Sequence, residues 1–75
     1  MGGMRVIING KVVYQSERGT TVKRIFGILG LLENEFLPIN PADNQPVTPD
    51  FRVPHDGEII LVPVIELYKS SEKII

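Results

Sequence analysis

Cysteine is absent from all 75 residues. That excludes disulfides, thiolate nucleophiles and zinc–thiolate sites together, and it leaves apolar packing as the source of stability. Net charge is nearly absent too. Eight Lys and Arg against nine Asp and Glu leave −1, so no strong overall field draws the chain to nucleic acid or to an anionic membrane. No apolar run approaches the roughly 18 residues needed to span a bilayer. Residues 1–5 lack an apolar core behind a basic start, so they do not read as a signal peptide, and the cytoplasm is the expected location. There is a single histidine and no phosphate loop of Walker or Rossmann pattern. What is present is an ordinary globular hydrophobic fraction, 43%, in a chain near the lower limit for a self-sufficient core.

The local signals follow a clear order. Asn9-Gly10 sits between the β-branched runs of residues 5–8 and 11–15 and predicts a hairpin, because Asn-Gly accepts the positive φ angles of a two-residue type I′ turn. Val6 and Ile8 then share one face. Residues 16–19 form a loop, and Thr20 or Thr21 is placed to cap a helix. Val22, Ile25, Phe26 and Leu29 recur at the spacing of one helical face, and Gly30 is a natural terminator. Gly27, inside that helix, costs about 1 kcal/mol relative to alanine and reads as a site of close packing on a sheet. Residues 36–40 predict a short strand, with Pro38 placing it at an edge or at a gap in pairing.

Five of the six prolines fall between Pro38 and Pro54, so that stretch is mostly loop, with a short strand over residues 45–48. Asp56-Gly57 turns the chain into residues 58–65, apolar on both faces and therefore a central strand. One domain is expected over residues 4–67, followed by an amphipathic tail at 68–75. A single short helix covers one face of a four- or five-stranded sheet, which makes an α+β fold with one open sheet face.

The same residues carry a family resemblance. Thr20-Thr21-Val22 with Ile25, Leu29, Gly30 and Leu31, then Ile39-Asn40 with Val47, Asp50 and Val53, then Asp56-Gly57-Glu58-Ile59 resemble, in order, the small sulfur carriers of the ThiS and MoaD type. The likeness spans most of residues 5–65. It implies the ubiquitin-like β-grasp fold: a mixed sheet, one helix on one face, and first and last strands adjacent and parallel. It also implies a protein partner, an activating enzyme or a synthase, in thiamine, molybdopterin or tRNA thiolation. In that family the last strand runs into a reactive Gly-Gly. Here Ile65-Glu66-Leu67-Tyr68-Lys69 follows, and the loop after Asn40 is longer and richer in proline. The TGS domain, another β-grasp relative, shares the Thr-Thr-Val helix start and the Asp-Gly turn. Carrier chemistry has no residue to map onto, so fold-level likeness does not transfer the activity.

No constellation reads as catalytic or as a cofactor or metal site. His55 beside Asp56 lies in a Pro-His-Asp-Gly turn. Ser16, Ser70 and Ser71 have no base near them in sequence. Asp43, Asp50, Asp56 and Glu58 are solvated loop charges in this reading, and Arg18, Lys23 and Arg24 a solvated helix face. The apolar excess is the stronger signal. Ile59, Leu61, Ile60, Val62, Val64 and Ile65 supply both faces of one strand, and an uncovered aliphatic face marks an interface. Three occupants are open: a protein partner, a second copy, or the tail itself through Leu67, Tyr68, Ile74 and Ile75. The expectation is a non-catalytic ubiquitin-like protein that binds another protein. The alternative is a carrier or modifier with an atypical C-terminus.

Overall fold

The computed structural model describes residues 3–66. The expectation that the tail folds back lies outside the described residues, as does all but Glu66 of the stretch from Glu66 to Lys69 where Gly-Gly is missing.

The chain opens with strands β1 (Met4–Ile8) and β2 (Lys11–Ser16). Asn9 at φ 53 and Gly10 at φ 77 make the turn between them, as the sequence required. The ladder is not regular. Ile7 pairs with Val12 but Val6 pairs with Tyr14, so Val13 is an extra residue in a β-bulge. A two-residue strand β3 (Thr20–Thr21) leads directly into helix α1 (Val22–Leu29). Then come β4 (Phe36–Asn40), β5 (Gln45–Pro46), β6 (Arg52–Val53) and β7 (Glu58–Pro63). The main sheet has the order β2-β1-β7-β4-β5, and β3 pairs with β6 in a separate two-stranded piece. β1 and β7 run parallel; the other neighbours are antiparallel. Over the described residues the protein is thus a small α+β domain with a mixed five-stranded sheet and, packed on it, the helix α1. β7 lies at the sheet's centre.

Helix α1 is closed at both ends by its own sequence. Thr21 is extended (φ −80, ψ 156) and its Oγ1 accepts from the Arg24 N–H at 3.3 Å. The Val22 and Lys23 N–H groups donate to the carbonyls of Phe51 and Pro49 at 3.0 and 2.8 Å. At the far end Gly30 adopts φ 69, its N–H donating to the Gly27 carbonyl and the Leu31 N–H to that of Phe26. That is the Schellman arrangement, and glycine suits its left-handed residue. The apolar stripe of α1 packs on the inner sheet face. Met4, Val6, Val22, Ile25, Phe26, Val53, Ile59 and Leu61 form the core, and Phe26 meets Phe36 edge to face at 6.5 Å.

Four expectations change. Gly27 is exposed, and a Cβ built there meets no atom within 4 Å, so it is not a close-packing site. Of the two placements open to Pro38, the edge falls and the gap in pairing holds: β4 is an interior strand, and Pro38 within it is buried. The Pro38 carbonyl accepts from Val47 on the β5 side. A strand residue's N and O point the same way, so the missing donor faces the stretch beyond the two residues of β5. β5 itself stops at Pro46, not at residue 48. Finally, β7 stops at Pro63, because its partner β4 begins at Phe36 and offers nothing further. The Val64 N–H donates instead to the Glu35 carbonyl, and residues 64–66 make a helical turn. Among the described residues no helix is long and apolar enough to cross a membrane.

Candidate functional site: the open sheet face

Strand side chains alternate, so burying one set presents the other. With Met4, Val6, Ile59 and Leu61 turned to the helix, Arg5, Ile7, Ile60 and Val62 face away from it. Cross-strand pairing then assembles a continuous row. Val12 lies opposite Ile7, Ile7 opposite Ile60, Ile60 opposite Ile39, and Ile39 opposite Pro46. One side chain from each of the five strands joins this row. At about 4.8 Å per strand it is about 19 Å wide. Val62 and Leu37, directly paired, extend it towards one end of the strands. Towards the other end Gln15, Arg5 and Glu58 form a polar margin, with Arg5 and Glu58 joined as a partly exposed ion pair.

Ile7, Ile39, Ile60, Leu37 and Val62 are half-buried because they shield one another on the flat sheet, whereas Val12 is 51% exposed. Nothing described covers them. The face offers aliphatic area bordered by the charged Arg5–Glu58 margin; that is its chemistry.

The six residues singled out from the sequence divide three ways. Ile59 and Leu61 are fully buried against α1, so they belong to the core and not to a partner surface. Their parity along β7 points them inward. Ile60 and Val62 stand on the open face. Val64 and Ile65 lie past the end of β7 in the helical turn, Val64 half-buried and Ile65 exposed. Sequence reasoning missed Ile7, Val12, Leu37 and Ile39. Alternation in β1 and β4 was readable, but only the register brings the row together.

The polar candidates stay apart. His55 and Asp56 are exposed in a turn closed by the Gly57 N–H donating to the Pro54 carbonyl at 3.0 Å. The Ser16 Oγ accepts from the Arg18 N–H at 3.2 Å. Asp50 accepts from the Thr48 hydroxyl, and that bond, helped by its own backbone N–H, holds its carboxyl below the usual aspartate value. Among the described residues no three His, Asp or Glu side chains gather as a metal site would require. Arg18, Lys23 and Arg24 are exposed. No protein-family model, no curated protein and no solved structure matches this chain.

Proposed function

We propose that this chain is a non-catalytic ubiquitin-like protein of the β-grasp type, related to the ThiS and MoaD sulfur carriers, which acts by docking its open sheet face on a protein partner. The observation that carries this reading is the unbroken apolar row of Val12, Ile7, Ile60, Ile39 and Pro46 on a face no other described element covers. Apolar surface of that continuity is costly to leave in water and marks an interface. The strand order, with a parallel central pair and one helix after the first hairpin, supports the β-grasp assignment. So do the motif residues of α1 and of the Asp56-Gly57 turn. The partner class in this reading is an activating enzyme or synthase of the sulfur-carrier kind.

The test is direct. An activating enzyme of this class is titrated with the full chain and with Ile60→Glu, whose carboxylate interrupts the row without touching the core. Binding by the parent, and a loss of about tenfold or more in the variant, is the expected result. Equal affinity of the two proteins, or no binding by either, rejects the reading. The alternative, a carrier with an atypical end, is separated by intact mass after incubation with the enzyme, ATP and a sulfur donor. An unchanged mass fits the binding module, and replacement of one oxygen by sulfur fits the carrier. Sedimentation over a wide concentration range reports whether a second copy occupies the face.

A further inference from the structure

The helix side of the molecule carries a second surface, of different chemistry. A groove of about 290 Å3 runs between β2 and α1, lined by Tyr14, Ser16, Arg18, Gly19, Arg24 and Ile28 among others. It meets a second depression of about 370 Å3 at Gly19, whose other walls are Arg52, Pro54 and His55. The two adjoin through that shared residue as a paired trough. Among the described residues three arginines line it and no carboxylate does, in a chain whose net charge is −1. Among the described residues the single ion pair is Arg5 with Glu58, so Arg18, Arg24 and Arg52 have no ion-pair partner there. Lys23 and Arg24 also sit in the first turn of α1, which holds no acidic residue, although the helix dipole disfavours cations at that end.

The helix terminus is not itself the anion site. The N–H groups of Val22, Lys23 and Arg24 are already taken by Phe51, Pro49 and Thr21. Recognition falls to the guanidinium forks, which match carboxylates bidentately. With Arg18 and Arg24 in one depression and Arg52 in the adjoining one, the spread of the guanidinium groups suits an extended chain over a compact anion. The depression between β2 and α1 also offers apolar contact through Ile28, 46% exposed, and the half-buried Tyr14. Among the described residues β2 is an edge strand with one neighbour, and it contributes Tyr14 and Ser16 to the groove. Gly19, common to both depressions, packs its backbone closely against the β6 end. A Cβ there would stand 2.8 and 2.9 Å from backbone atoms of Pro54 and His55, and closer still to the Val53 carbonyl oxygen.

We propose that this trough binds an extended acidic segment of a partner protein, with an aliphatic side chain against Ile28 and Tyr14 and carboxylates on Arg24, Arg18 and Arg52. This surface is separate from the open sheet face, and a partner can engage either one alone.

The probe is a fluorescein-labelled octapeptide of alternating glutamate and valine, titrated into the full chain by anisotropy and by amide NMR. The expected result is saturable, salt-weakened binding that shifts the signals of Ser16, Gly19, Arg24 and Ile28. Arg18→Ser and Arg24→Ser, both at exposed positions, each lower the affinity by about tenfold. The double variant Arg18→Glu with Arg24→Glu takes the lysine–valine octapeptide in place of the acidic one. Ile60→Glu leaves peptide binding within about twofold, which separates this trough from the sheet face. Unchanged affinity in both serine variants overturns the proposal, as does an absence of saturable binding. Shifts centred on Ile7 and Ile39 do the same, and so does tighter binding of a thymidine oligonucleotide of equal charge, which would make the trough a nucleic-acid surface.

Discussion

Two glycines give a sharp test of the packing, because one substitution, glycine to alanine, should move stability in opposite directions at the two. Gly27 lies in the interior of α1 with helical backbone and open space where a Cβ would go. Alanine there gains helix propensity and restricts the unfolded chain, which is worth about 1 kcal/mol. In a domain of this size that raises Tm by about 4–8 °C. Gly19 packs its backbone against the β6 end, and the nearest three atoms to an added Cβ are all backbone: the Val53 carbonyl oxygen, a Pro54 carbon and the His55 nitrogen. No side chain can rotate away, so either the loop moves or the β3–β6 pairing gives. Overpacking of this kind costs about 1–3 kcal/mol, a lowering of Tm by about 4 °C at the least. Circular dichroism melts of parent, Gly27→Ala and Gly19→Ala decide the matter. Gly19→Ala as stable as the parent would refute the close approach of the loop to Val53, and Gly27→Ala less stable than the parent would refute the open placement of that helix face.

Leu61→Ala removes a fully buried side chain and should cost about 2–5 kcal/mol, comparable with the whole stability of so small a core, whereas Val62→Ala on the open face should cost far less; urea titrations of the two separate inward from outward parity. Thr21→Ala removes the acceptor for the Arg24 N–H and should lower stability by about 1 kcal/mol, read as a lower urea midpoint at unchanged slope. The Asp50 carboxyl, held low chiefly by the Thr48 hydroxyl, should titrate by carbon-detected NMR below an ordinary aspartate, and Thr48→Val should move it back up. Because the folded value is the depressed one, its contribution to stability is present above the unfolded aspartate pKa and is lost as pH falls through the folded value.

What could be read in advance was local. Asn9-Gly10 announces its turn because both residues must take positive φ, and only a few dipeptides tolerate that. Thr21 and Gly30 announce the ends of α1 for the same kind of reason, and apolar residues on both sides of β7 announce a central strand. What could not be read depends on pairing across the fold. The Val13 bulge leaves no mark in a run where Val12 and Val13 are equally β-branched. Pro38 suggests an edge or a gap in pairing, and only the shortness of β5 decides for the gap. The apolar row requires the register of four strand pairs, and Ile59 and Leu61 were counted with it because a strand apolar on both sides hides its own parity. The trough was legible only as the cluster of Arg18, Lys23 and Arg24. Arg52 joins it through the β3–β6 bridge, in which Thr21 faces Arg52, a pairing of two residues a side that no periodicity reveals.

The parallel contact of β1 with β7 governs when this protein can fold. Val6 reaches its partner Ile59 across almost the entire described chain, so the first strand waits for the last before the sheet has a centre. During synthesis the hairpin and α1 emerge early with their apolar faces unmatched, and the domain cannot close until β7 has left the ribosome. Contacts so distant in sequence slow the search. Refolding should therefore be slower than for a helical bundle of equal length, and the Asn9-Gly10 hairpin should be present before the sheet is complete.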